Sequence, residues 1–405
     1  MDALREFLHE EAAGGIVLLA ATAVALVWAN SPLSSSYTAL FTHPVTLGTG
    51  SHAITESVGA WINDGLMALF FFVVGLEIKR ELVTGDLREP RAAVLPAGAA
   101  LGGALLPALL FLLLTPSGPA SRGWGIPMAT DIAFAVGVLA LVGTRASSGA
   151  KLFLLSVAIV DDLIAIVVIA VYYTRGFHPL GLLAAGLALL VILAMRRFVA
   201  SPLAYVLPAL VVWLGVLESG VHATLAGVVL GLITPARPVK GRPVLEQLEH
   251  TLHPVSAFVV VPIFALANAG VDFRGGALAD ALDERLTWAV VVGLVLGKLV
   301  GIAGATFLLL RVGLGRLPAG MAAREVWPVA ALGGIGFTVA LFITDLAFTD
   351  RTLVDGAKVG IFVASIVAAG VGAVLLRVAG GGSGSGGLTT PPGGTEVGTG
   401  GRAAA

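Results

Sequence analysis

The sequence predicts an all-α polytopic membrane protein, and three observations carry that reading. The 405 residues are 57% hydrophobic and only 12% charged, a balance suited to lipid rather than water. Apolar windows of ~20 residues, the length that crosses a ~30 Å hydrocarbon core, recur about twelve times. Lysine and arginine collect in alternate connections between these windows. Cysteine is absent, which excludes disulfides and thiolate metal sites. A net charge of −1 gives no basis for a nucleic-acid partner, so the lipid bilayer is the expected surrounding.

The first span covers 13–30. The "VWA" before Asn30 resembles a signal-peptide cleavage site, but Glu6, Glu10 and Glu11 precede the span and further spans follow, so it reads as an uncleaved anchor. The connection 31–57 contains "HPVTLGTGSHAI", which alternates around "GTGS" and predicts a small β-hairpin over about 44–54, with no helix beside it. Spans two and three cover 58–82 and 94–115. Span four, 124–143, is interrupted by Gly125 and Pro127 just ahead of Asp131, and span five, 152–174, holds Asp161 and Asp162 at its centre. Spans six to eight cover 179–195, 203–217 and 222–234, the last being short. Span nine is 247–270, and span ten, 287–310, carries Lys298 about halfway along. Span eleven, 325–349, is interrupted by Gly333, Gly334 and Gly336, and span twelve is 355–376. Residues 378–405, rich in Gly, Ser, Thr and Pro, have too little apolar surface to offset chain entropy and predict a disordered tail, leaving 1–377 as a single transmembrane domain.

Loop charge orients the bundle. One set of connections holds Lys79, Arg80, Arg88, Arg91, Arg145, Lys151, Arg196, Arg197, Arg237, Lys240, Arg242, Arg311, Arg316 and Arg324, whereas the other holds only Arg122, Arg175, Arg274, Arg285 and Arg351. The positive-inside rule then places both termini in the cytoplasm, and the tail with them.

The charges at mid-span are the functional signal. Asp161, Asp162, Lys298, Thr130 and Asp131 all fall near the centres of their spans. A charge at that depth costs about 2.5–3.5 kcal/mol or more, so it marks a functional site with an expected partner. A salt bridge that merely fixes helix packing is a poor explanation, because desolvation offsets most of its attraction. It also leaves Asp131 and one of the adjacent aspartates unexplained. Neighbouring residues on a helix point ~100° apart, so Asp161 and Asp162 cannot share one partner equally. Two such carboxyls can hold a proton, and the same oxygens, once ionised, are ligands for a hard cation such as Na⁺. Proton and cation then compete for one site. The interrupted spans four and eleven are the kind of segment from which transporter ion sites are built. If they cross, Asp131 is placed to offset the helix N-termini there and Lys298 the C-termini.

These stretches resemble the NhaA-type sodium/proton antiporters of bacterial inner membranes. The matching segments include "WINDGLMALFFFVVGLEIKREL", "IPMATDIAFAVGVLALVG", "AIVDDL", "SGVHATLAGVVLG", "LEHTLHP", "FALANAGV", "GKLVGI" and "GGIGFT", in family order from about residue 10 to 377. The resemblance implies twelve helices, with spans three to five and ten to twelve as inverted repeats and helices four and eleven unwound at their crossing. It implies electrogenic exchange of cytoplasmic Na⁺ or Li⁺ for external H⁺, switched on by alkaline pH, with no cofactor beyond the transported ions. Asp162 resembles the principal Na⁺ and proton carboxylate, and Asp161 the second aspartate, paired with Lys298; Thr130 and Asp131 sit at the crossing. The family's pH-responsive cluster carries over as Glu77, Arg80 and Glu81 with Glu249, His250 and His253, and His222 as a further pH-sensitive residue. The bland alternative for that cluster is an interfacial patch holding two helix ends in register. His250 and His253 lack the third ligand that a zinc site needs. The resemblance also implies a homodimer joined through the hairpin, which buries its open strand edges.

Asp64 and Asp345 fall toward the outer ends of their spans, where interfacial solvation accounts for them. Two other classes compete. An intramembrane aspartyl protease needs two aspartates sharing a proton, but neither Asp131 nor Asp161 lies in a Gly-x-Gly-Asp context. A passive cation channel calls for rings of acids or carbonyls rather than one asymmetric cluster.

Overall fold

The computed structural model describes residues 2–48, 53–141, 146–174, 176 and 178–381. Long apolar runs form helices because lipid offers no partner for backbone N–H and C=O groups. Among the described residues, seven helices are long and apolar enough to cross a membrane. They are α1 (Asp2–Asn30), α3 (Val58–Val83), α4 (Pro90–Leu114), α7 (Ser148–Tyr173), α11 (Val244–Asn268), α13 (Arg285–Val312) and α16 (Arg351–Gly381). Two further apolar stretches are bent pairs: α5 (Pro119–Met128, a 3₁₀ helix) with α6 (Ile132–Ala140), at 46°, and α14 (Ala323–Leu332) with α15 (Phe337–Ala347), at 45°. Shorter apolar helices are α8 (Pro179–Met195), α9 (Pro202–Glu218) and α10 (Thr224–Ile233).

Local chemistry explains the boundaries. Proline opens α4 and α8, where its missing N–H costs nothing. Ser57 and Ser147 cap α3 and α7 by accepting from Ala60 N and Ala150 N. Gly313, at φ 78°, closes α13 in the left-handed conformation that glycine adopts without strain.

The connection after α1 corrects the expectation of a helix-free loop: α2 (Ser34–Thr42) lies in it, ahead of the hairpin. Strands β1 (Pro44–Leu47) and β2 (Ile54–Ser57) pair antiparallel, with Pro44 opposite Ser57 and Leu47 opposite Ile54. The second strand therefore runs past the expected limit at 54, and the turn residues 49–52 lie outside the described residues. Tyr37 ties α2 to the end of α11, donating to Leu266 O (2.8 Å) and Ala267 O (2.9 Å) and accepting from Gly270 N (3.2 Å). Burial pushes its phenol up to about 12. A short helix, α12 (Ala277–Asp283), precedes α13. The last helix continues to Gly381, into the expected tail, and 382–405 lie outside the described residues.

Helices pack through small residues, as they must where lipid supplies no hydrophobic drive between them. At the α3–α10 contact a Cβ on Gly227 would stand 2.0 Å from Ala68 O, so only glycine permits that approach. Large apolar side chains such as Val171, Leu180 and Leu203 stay exposed at 80%, 80% and 82%, a surface that lipid covers.

Candidate functional site

The two bent pairs meet at their breaks. Asp131 N donates to Ile335 O at 2.6 Å, and Thr130 Oγ1 donates to Gly333 O at 2.8 Å. The glycines in the second break allow close approach: a Cβ on Gly336 would lie 2.8 Å from Ala129 O in the first break, and one on Gly334 2.4 Å from Leu294 O on α13. Backbone that leaves the helical ladder at this depth is tolerated because each break completes the other's hydrogen bonds.

Asp131 is committed to two helix starts. Its Oδ1 accepts from Phe134 N (3.0 Å) at the head of α6, and its Oδ2 accepts from Thr338 N (2.9 Å) and Thr338 Oγ1 (2.8 Å) at the head of α15. A carboxylate at two N-termini offsets their partial positive charge, as the sequence reading expects. Lys298 does not reach the C-terminal carbonyls itself. It donates to Thr130 Oγ1 at 3.1 Å, and Thr130 in turn meets Gly333 O.

The main bond of Lys298 is to Asp161 Oδ2, at 2.5 Å, with the two side chains 0% and 1% exposed. Lys298 follows directly on a π-helical turn, Gly293–Gly297, of the sort that recurs at functional sites. Asp162 faces elsewhere. It lines a cavity of about 280 Å³ that it shares with Asp131, Thr130 and Thr338 at the buried end and with Glu77, Arg80, Glu81 and His253 toward the surface. Asp161 Oδ1 and Asp162 Oδ1 are buried without a hydrogen-bond partner. Buried carboxylate oxygens are normally satisfied, and each of these two is an oxygen donor of the kind that takes a hard cation or a proton.

At the surface end Arg80 bonds Glu249 on α11 and also Glu81, at 3.3 Å. His253 Nε2 lies 3.8 Å from Glu77 Oε1. Arg80 therefore bridges two helices. The remaining expected residues fall outside this cluster. His250 is exposed one position beyond Glu249. His222 lies at the opposite end of the bundle, with Nε2 2.7 Å from Tyr173 O. Among the described residues no three His, Asp or Glu side chains converge as metal ligands.

Sequence reasoning missed Thr338, Asn63 and Asn268. Thr338 stands two residues after Gly336, where a helix beginning at a break leaves free N–H donors, and that signal was available. Asn63 donates to Asp345 Oδ2 at 3.2 Å, and Lys358 Nζ lies 3.5 Å from Asp345 Oδ1. Asp345 is thus held by partners, not merely solvated.

The profile of the Na⁺/H⁺ antiporter 1 family matches residues 5–376. The chain is 45% identical over 410 residues to "Na(+)/H(+) antiporter NhaA 3" of Frankia alni, covering 93% of this chain and 89% of that protein. It is 46% identical over 376 residues to "Na(+)/H(+) antiporter NhaA 2" of Erythrobacter litoralis, covering 92% and 93%. With "Na(+)/H(+) antiporter NhaA" of Cupriavidus necator it shares 43% identity over 415 residues, covering 92% and 89%. These relatives are named as transporters, not enzymes.

Proposed function

The chain belongs to the Na⁺/H⁺ antiporter 1 family, and on that premise we propose that it exchanges Na⁺ or Li⁺ for H⁺ by competition of cation and proton for Asp162 and Asp161. The observation that carries this reading is the pair of buried, unpartnered oxygens on these aspartates, with Asp162 at the closed end of a cavity. Asp131 and Thr130 support the site from the crossing, and Thr338 holds Asp131 in place.

Lys298 makes the exchange electrogenic. Na⁺ arriving at Asp161 competes with the ammonium for the same carboxylate, and the lysine releases a proton as the ion binds. Seven long helices, two bent pairs and three shorter apolar helices support twelve crossings, with spans three to five and ten to twelve as inverted repeats. Positive-inside charge supports cytoplasmic termini in a bacterial inner membrane, so the cavity mouth at Arg80 opens to the cytoplasm. Glu77, Arg80, Glu81, Glu249 and His253 at that mouth are the groups through which alkaline pH switches the protein on. His250 and His222 stand apart from them, as more distant pH-sensitive residues. The open edges of the β1–β2 hairpin support a homodimer in which a second hairpin extends the sheet.

An aspartyl protease fits less well. Asp161 is paired with Lys298 and Asp131 accepts from three donors, an arrangement unlike a symmetric pair of aspartates sharing one proton. The test is Asp162→Asn in sealed vesicles, because the amide neither ionises for Na⁺ nor carries a proton. Na⁺-driven collapse of a pH gradient is expected to disappear while folding and insertion persist. A wild-type rate would sink the assignment.

A further inference from the structure

The ends of the bundle differ. The cavity reaches the surface at Arg80, whereas the other end is closed by a polar cluster that the exchange site does not use. Asn63 Nδ2 donates to Asp345 Oδ2 (3.2 Å) and to Asn268 Oδ1 (3.3 Å), and Asn268 Nδ2 returns a bond to Asn63 Oδ1 (2.8 Å). Lys358 Nζ holds the far side of Asp345 at 3.5 Å. The four residues belong to α3, α11, α15 and α16, so the cluster stitches together helices that line the cavity and helices of the crossing.

Depth places it. Asn63 precedes Glu77 by fourteen residues of one helix, about 21 Å at 1.5 Å per residue. Asn268 ends the helix in which His253 faces the cavity, and Asp345 follows Thr338 by about two turns. Between cluster and cavity lie the rings of Phe71, Phe264 and Phe342, on the same three helices as Asn63, Asn268 and Asp345. They are 3%, 0% and 1% exposed, with Phe342 5.5 Å from Phe71 and 6.3 Å from Phe264 between centroids. The aromatic layer excludes water, and the polar layer outside it joins the helix ends.

We propose that Asn63, Asn268 and Asp345 form a latch that shuts this end of the bundle while the cavity is open at Arg80, and that the latch parts in every transport cycle. The inference rests on the antiport reading, which requires the midplane carboxylates to face each side in turn. Hydrogen bonds suit such a closure. Each amide and carboxylate released from the cluster regains an equivalent bond from water, so the closed and open forms stay close in free energy. Lys358 stays with Asp345 on the crossing side and keeps its charge compensated when Asn63 leaves.

The absence of cysteine allows a direct test. Asn63→Cys/Asp345→Cys is bridged with a short bis-methanethiosulfonate reagent, and the bridged fraction is read by intact mass. Bridged protein in vesicles is expected to lose exchange at least tenfold and regain it on reduction, while Na⁺ still raises its melting temperature from the open side. Bridged protein that exchanges at the unbridged rate overturns the latch. If the unmodified protein shows no Na⁺/H⁺ exchange at all, the antiport reading fails instead. The single variant Asn63→Cys gives a second readout should the double variant not fold. A membrane-impermeant thiol reagent added from the latch side is expected to label it at least fivefold faster during turnover, and equal rates with and without turnover also overturn the proposal.

Discussion

Two lysine–aspartate pairs sit on opposite sides of the Phe71–Phe264–Phe342 layer, and they are built differently. Lys298 and Asp161 are 0% and 1% exposed at 2.5 Å, whereas Lys358 and Asp345 are 10% and 20% exposed at 3.5 Å. The inner pair has no water to replace a lost partner, and Asp161 keeps one oxygen without any bond. The outer pair shares Asp345 with Asn63 and stands near solvent. The same two residue types therefore stand in different surroundings: on the proposed reading the inner pair stores a charge that an arriving ion displaces, and the outer pair keeps a carboxylate compensated while its other contacts change.

The largest expected difference between them is in stability. Lys298→Met strands the Asp161 carboxylate in a dry site, and removing one partner of a buried pair costs about 3–5 kcal/mol. Lys358→Met is expected to cost clearly less, because Asp345 keeps the bond from Asn63 and is 20% exposed, so water and the amide still serve its carboxylate. Thermal unfolding of both variants in the same detergent checks this, and equal losses of melting temperature would break the comparison.

A sharper test separates charge from packing. Lys298→Gln can hydrogen-bond in the same place without titrating, so residual Na⁺/H⁺ exchange is expected to lose its response to an imposed membrane potential. Lys358→Gln is expected to leave that response intact. Voltage-driven exchange in Lys298→Gln would mean that the inner pair only holds helices together.

The smallest effect falls on the link between the inner pair and the crossing. Thr130→Val removes the bond to Gly333 O and the one accepted from Lys298. An unsatisfied buried carbonyl costs about 1–3 kcal/mol, so a destabilisation in the lower half of that range is expected in chemical denaturation. Thr130→Ser, which keeps the hydroxyl, is expected to restore most of it.

Much of this arrangement was legible in the chain itself. Gly125 with Pro127 and the cluster Gly333, Gly334 and Gly336 marked the two breaks, although Pro96 and Pro107 stand inside the continuous α4, and mid-span position gave the depth of Asp131, Asp161, Asp162 and Lys298. The latch was not legible. Asn63 and Asn268 are separated by 205 positions, and an asparagine near a span end carries no signal of what it meets. Asp345 looked like a solvated end-of-helix acid for the same reason. Helix α2 escaped because an uncharged nine-residue helix beside a hairpin has neither the length nor the hydrophobic period that reveals the others.

By itself the sequence determined the membrane class, the order of the spans, the two interrupted crossings and the level at which charge is buried. All of these follow from local hydropathy and backbone propensity, which each segment carries with it. The pairing of Asp161 with Lys298 was implied by the resemblance, but only the tertiary structure decided that Asp162 lines the cavity, that Asp131 accepts from Thr338 as well as from Phe134, and that Arg80 reaches Glu249 across to α11. Those choices depend on the rotation of each helix about its axis and on how closely glycines let helices approach. A turn of ~100° exchanges one aspartate for its neighbour, and no pattern within a single helix sets that angle.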